Sequence, residues 1–170
     1  ENEINKINID KNKIIRIDAD RNKYNGHIGC CKSHIKAVKL AKQMNLNNVV
    51  IFEDDFVFTL PKKEINNKIN HFIEKYKEWD IIQLTTHYKN LKDINDKHIK
   101  KVNSATAPSG YIIQKHFYNK LINDLETALN KMEKEMVEFK KKNPNKKKKE
   151  TGYALDQHWG KLQKTSKWYI

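Results

Sequence analysis

Residues 49 to 55 read Val-Val-Ile-Phe-Glu-Asp-Asp, four apolar residues running straight into three acids. The apolar run, Val49 to Phe52, suits a strand buried on both faces of a parallel sheet. Such a strand ends where the chain leaves the core, and in open α/β sheets ligands sit at the C-terminal ends of strands. Three carboxylates at that point repel one another, and a divalent cation relieves the repulsion. Oxygen ligands suit Mg²⁺ or Mn²⁺. On an extended chain Glu53 and Asp55 face one side while Asp54 turns away. The competing reading is a solvated acidic turn.

The flanking pattern supports a layered fold. Ile14 to Asp18 reads as a short strand. Ile28, Cys31, Ile35, Val38 and Ala41 recur at helical spacing from about Gly29, with lysines outside, and Asn45 to Asn48 breaks the helix. A second helix carries Ile65, Ile69, Phe72, Ile73 and Tyr76, with Thr59 as its cap and Pro61 in its first turn. Trp79 to Thr85 reads as the next strand. The order is β-α-β-α-β, and right-handed crossovers give a parallel sheet. Residues 86–98 read as loop, and strands follow near 100–106 and 110–114. A long helix spans about Lys115 to Lys142, where Tyr118, Ile122, Leu125, Leu129, Met132, Met136 and Phe139 alternate four and three apart. That stripe either covers the core or forms the seam of a homodimer. A short helix near 154–163 and a strand at 167–170 close the chain. The expected fold class is α/β: one Rossmann-like domain over residues 1–170, a mostly parallel central sheet flanked by helices.

Charge narrows the partners. The 170 residues hold 34 Lys and Arg against 21 Asp and Glu, a net charge of +13. Only Arg16 and Arg21 are arginine. Sequence-specific nucleic-acid readers lean on Arg for bidentate contacts, so the balance points instead to phosphate-bearing ligands or an acidic surface. Lys140 to Glu150 is lysine-rich, self-repelling and expected to be mobile. Adjacent Cys30 and Cys31 read as free thiols in a reducing, cytoplasmic compartment. No apolar run approaches a transmembrane span.

Three further groupings can carry chemistry. Gly29-Cys30-Cys31-Lys32-Ser33-His34 opens a helix, where a ligand can approach the glycine and Ser33 and His34 can hydrogen-bond. A turn glycine and a satisfied histidine explain the same residues, and the two thiols read as packing groups. Leu155-Asp156-Gln157-His158-Trp159 sets an acid and a ring on one helix face, suited to sugar hydroxyls and C–H faces; a dipole-favoured acid beside a core tryptophan serves equally. Thr106-Ala107-Pro108-Ser109-Gly110-Tyr111 can wall a pocket or simply turn. No P-loop, dinucleotide fingerprint or zinc spacing is present.

Taken in order, these segments resemble glycosyltransferase family 25, which includes lipooligosaccharide and collagen galactosyltransferases. Arg16-Ile17-Asp18-Ala19-Asp20 resembles the family's second strand. Gly29 to His34 matches its GCxxSH signature, and Ile51-Phe52-Glu53-Asp54-Asp55 its EDD signature. Trp79 to Leu84, Ser109 to Ile113 and Asp156 to Trp159 resemble later segments. The family's opening strand has no counterpart in residues 1–13, and the chain stops before the family's usual C-terminal segment.

The resemblance implies a GT-A fold, a UDP-sugar donor such as UDP-galactose or UDP-glucose, a glycan or protein hydroxyl acceptor, and Mn²⁺ (or Mg²⁺). It makes Asp55 the metal ligand of a DxD-like motif, with Glu53 beside it. Asp54, Ser33, His34, Ser109, Gly110 and Trp159 are placed at the donor or substrate, and Asp156 as the catalytic base. The expected reaction is an inverting hexosyl transfer. A polyanion-binding module, a scaffold dimerising through helix 115–142 and an inactive relative are the alternatives.

Overall fold

The computed structural model describes residues 2–85, 87–107, 109–148 and 150–170; Thr86, Pro108 and Lys149, which fall within segments singled out above, lie outside them. The described chain runs α1 (Asn2–Lys6), α2 (Gly26–Gln43), β1 (Asn48–Phe52), α3 (Lys62–Lys75), β2 (Ile81–Gln83), β3 (His87–Asp93), β4 (Lys100–Thr106), β5 (Gly110–Gln114), α4 (Tyr118–Lys142), α5 (Leu155–His158), α6 (Gly160–Thr165) and β6 (Trp168–Tyr169). Single 3₁₀ turns occupy Lys11–Lys13 and Lys115–Phe117.

The six strands form one mixed sheet in the order β1-β5-β2-β6-β4-β3. The α/β class holds, but the strand directions correct the expectation of a mostly parallel sheet. β5 runs antiparallel to both β1 and β2, β4 runs antiparallel to β3 and β6, and β2 with β6 is the one parallel pair among the described strands. The β1-α3-β2 crossover does leave β1 and β2 pointing the same way. A strand from sixty residues later in the chain then inserts between them in the opposite sense.

That insertion makes β1 an edge strand. Val49 and Ile51 pack against the main core, while Val50 is 43% exposed. Val49–Phe52 is therefore covered on one face rather than two. The strands buried on both faces are β2 and β5; in β5 Tyr111 and Ile113 face the layer formed by α2, α4, α5 and α6, and Ile112 faces the opposite layer. Ile81 and Ile82 of β2 divide the same way. Period-two alternation with both sides apolar is what a strand between two helical layers requires.

The helices follow their stripes to different degrees. In α2 every expected core position is buried, from Ile28 to Ala41. Asn25 caps its start, accepting from the His27 amide at 2.9 Å. Asn45 ends it with φ 56°, and the Leu46 amide reaches back to Ala41 O, the Schellman pattern. In α4 the 118–139 stripe is occupied within the chain: Tyr118, Leu125 and Met132 are buried among core residues that include Ile28, Cys31 and Trp159. The seam that could have paired two copies is thus already covered. α3 buries only Phe72, against Trp79, Tyr76 and Tyr169, and leaves Ile73 47% exposed. Its N-cap position is Pro61, with no side-chain cap, so Thr59 does not start it.

Two segments depart from the sequence reading. Ile14–Asp18 is not a strand; among the described residues it has no ladder partner, and Ile15 is half exposed. Residues 87–93, expected as loop, form β3, paired with β4 across a bulge. Apart from Tyr88 and Leu91 this edge strand is polar, so it offers no apolar alternation to read. The lysine-rich end of α4 and the segment after it are held to Tyr24. Lys148 N–H donates to Tyr24 O at 3.0 Å, and the Lys140 ammonium sits 3.3 Å from the Tyr24 ring centroid.

Candidate active site

The site is built where β1 ends. Glu53 closes the strand, its N–H donating to Ser109 O at 2.7 Å, and the Phe56 amide returns to Glu53 O to make a turn. Asp54 and Asp55 stand in that turn, exposed, while the Glu53 side chain is 31% exposed. The extended alternation expected for the three acids is therefore replaced by a strand end followed by a turn. Antiparallel pairing places the start of β5 here, with Phe52 opposite Gly110. The Ser109 hydroxyl meets Thr85 Oγ1 at 2.8 Å, and Gly110 N–H donates to the same oxygen at 3.2 Å. A Cβ on Gly110 would lie 2.3 Å from the Phe56 ring, so the glycine serves close packing under the acidic turn.

The α2 signature reaches this point through one residue. His34 is buried, its Nδ1 2.6 Å from the Tyr111 hydroxyl and its Nε2 3.1 Å from Glu53 Oε1. The imidazole lies nearly parallel to the Tyr111 ring, 5.7 Å between centroids. Burial holds the Tyr111 phenol well above its ordinary pKa, with Cys30 and Glu53 adding to the effect, so it stays protonated. A carboxylate only accepts, so the arrangement that satisfies each donor has Tyr111 O–H donating to Nδ1 and Nε2–H donating to Glu53. The chain Tyr111–His34–Glu53 thus fixes the Glu53 carboxylate from behind.

Ser33 and Gly29 act on the other side of α2. Ser33 Oγ accepts from Asp20 N–H at 3.0 Å and donates to Gly29 O at 3.1 Å. A Cβ on Gly29 would meet Asp20 O at 2.1 Å. Both residues dock the segment around Asp20 onto the helix, and neither is brought against Glu53.

Asp156 arrives through the loop before β5. It lies in the first turn of α5, and its Oδ2 accepts from Ala107 N–H at 3.1 Å, where Ala107 has φ 54°. Trp159, one turn on, is 0% exposed and packs edge-on against Tyr111 and Trp168. Its ring has no face open to a ligand; it supports Tyr111 from below.

Cys30 reports the gathering of charge. Its thiol is pushed up to about 12, first by burial and then by the negative fields of Glu53, Asp156 and Asp55. Cys30, read from sequence as a packing group, lies with His34 and Glu53 within 4.8 Å, ligand atom to ligand atom. The signal was available: Cys30 and His34 are four apart on one helix face. Tyr111, buried in the centre of β5, carries no such signal. Two hollows of about 740 and 530 Å³ lie elsewhere, one beside Asp80, His116 and Lys167 and one between α2 and α4.

The family model for glycosyltransferase family 25 (LPS biosynthesis protein) matches residues 1–161. The chain belongs to glycosyltransferase family 25. Comparison with curated proteins finds no match. Membership makes this family 25 protein a glycosyltransferase, with a sugar donor and an acceptor. Among its described residues no helix is long and apolar enough to cross a membrane.

Proposed function

We propose that this family 25 protein transfers a hexose, galactose or glucose, from a UDP-sugar to a hydroxyl of a glycan or protein, with inversion and with Mn²⁺ or Mg²⁺. The observation that carries the reading is the Tyr111–His34–Glu53 hydrogen-bond chain, which sets the Glu53 carboxylate beside those of Asp54 and Asp55 where β1 ends, in a chain of this family. Their donor chemistry fits a hard divalent ion, which takes carboxylate oxygens. Asp55 and Glu53 are the residues that would hold it. When bound, the ion supplies neutralisation of the charge growing on the departing diphosphate.

The chain's own groups do the rest. His34 holds Glu53 Oε1 and so fixes how that carboxylate faces the donor. Ala107 N–H holds Asp156 Oδ2, so the base is oriented before substrate arrives. Asp156 takes the acceptor hydroxyl proton as that oxygen attacks C1 of the sugar from the face opposite the diphosphate. The C1–oxygen bond to the diphosphate breaks as the new one forms, and the sugar passes through an oxocarbenium-like state. Two free cysteines fit a reducing, cytoplasmic setting.

The test is metal-dependent hydrolysis of UDP-galactose and UDP-glucose by wild type and by Asp55→Ala. The expected result is Mn²⁺-stimulated release of UDP that falls by about a hundredfold or more in the variant, the usual cost of losing an electrostatic contact to developing charge. Equal rates would remove Asp55 from the metal.

A further inference from the structure

We infer that Cys30, His34 and Glu53 form a binding site for a borderline-soft divalent ion of the Zn²⁺ class, distinct in chemistry from the hard ion that carboxylates alone would take. The three side chains offer a thiol sulfur, an imidazole nitrogen and a carboxylate oxygen, all within 4.8 Å of one another. Two ligand atoms on one tetrahedral zinc, at roughly 2.0–2.1 Å each, lie about 3.3 Å apart. His34 Nε2 and Glu53 Oε1 are already 3.1 Å apart. The Cys30 sulfur lies within 4.8 Å of both. Cys30 and Glu53 are half-buried rather than sealed, so an ion can enter and a fourth position stays open for water.

A second feature points the same way. A zinc-ligating histidine keeps its other N–H on a fixed oxygen, which sets the tautomer and the ring plane. Tyr111 supplies that oxygen at 2.6 Å from Nδ1, inside the core and against the stacked ring. On binding, the imidazole proton would move from Nε2 to Nδ1, the Tyr111 O–H would turn away so that its oxygen accepts from Nδ1, and the Cys30 proton would leave to solvent. Thiolate with imidazole selects zinc over manganese or magnesium. Glu53 is shared with the hard-ion site of the sugar-transfer reading, so the two ions would compete for it; occupancy here is read with no sugar and no Mn²⁺ or Mg²⁺ present.

Cobalt reports it directly. Reduced, metal-free protein is titrated with Co²⁺, with each variant checked for fold by far-ultraviolet circular dichroism. The expected result is a sulfur-to-cobalt charge-transfer band in the near ultraviolet, erased by Zn²⁺ and absent from both Cys30→Ser and Cys30→Ala. Tyr111→Phe keeps the ring packed but removes the outer partner of His34. It should weaken Zn²⁺ binding roughly tenfold or more in competition with a chromophoric chelator. No band in wild type, or an undiminished band in both Cys30 variants, overturns the site. Unchanged Zn²⁺ affinity in Tyr111→Phe overturns His34 Nε2 as a ligand.

Discussion

Asp156→Asn is expected to lower the turnover of sugar transfer by about a hundred- to ten-thousand-fold, the range that a positioned general base contributes. The substitution keeps an oxygen for the Ala107 amide, which holds the loop ahead of β5, so the fold and donor binding should persist while proton removal fails. The KM for the donor should stay near its wild-type value as kcat falls, since the lost interaction belongs to the transition state. The measurement is steady-state transfer with an acceptor at saturation. A kcat close to wild type would take Asp156 out of the reaction and leave it as a tie for the Ala107 turn.

Trp159→Ala carries the largest expected cost in stability. The indole is 0% exposed, 4.9 Å from the Trp168 ring and 5.8 Å from Tyr111 by centroid. It joins α5 to the centre of the sheet. Truncating a buried aromatic to Ala costs about 3–5 kcal/mol, a large share of the total of about 5–15 kcal/mol for an ordinary domain. Urea denaturation should show the free energy of unfolding lowered by that amount, read as a lower midpoint at unchanged slope. Because Trp159 supports Tyr111, and Tyr111 holds His34, activity should fall further than unfolding alone explains. A loss below about 1 kcal/mol, the level of an ordinary surface change, would contradict its place in the core.

The residues of the candidate site were legible from sequence to different depths. Glu53, Asp55 and Asp156 stood out because acids at the end of an apolar run, or beside an aromatic on a short helix, are unusual chemistry. How they are held could not be read, since the Glu53–Ser109 contact depends on β5 entering antiparallel beside β1, and the Asp156–Ala107 contact joins residues 49 apart. The same insertion hid the edge position of β1. A run of Val and Ile reads as doubly buried, and nothing in Val49–Phe52 says that one neighbour is missing. β3 was invisible because an exposed edge strand needs no hydrophobic face. Ile14–Asp18 failed in the opposite sense: strand-forming residues are present, but the described chain gives them no strand to pair with. The α2 helix was legible along its apolar stripe and at its Asn45 end; its start was read at about Gly29 rather than Gly26, because Asn25 and Gly26 look like loop although Asn25 caps the helix. Within it, Ser33 and Gly29 look like ligand contacts in a motif, yet here they hold Asp20 against the helix. Trp159 looks like a sugar platform, yet here it is core. Motif residues are shared between chemistry and packing, and only burial separates the two.

A thermal-shift measurement with UDP-galactose and UDP-glucose, each with and without Mn²⁺, tests the central claim most directly. A donor and ion that bind only together, at about a hundredfold above Kd, add about 2.7 kcal/mol to the folded state. For a chain of this length that raises the Tm by roughly 5–10 °C. The account predicts that rise for nucleotide sugar plus Mn²⁺, little for either alone, and its loss in Asp55→Ala. A rise that is the same without the ion, or no rise with any nucleotide sugar, would contradict it.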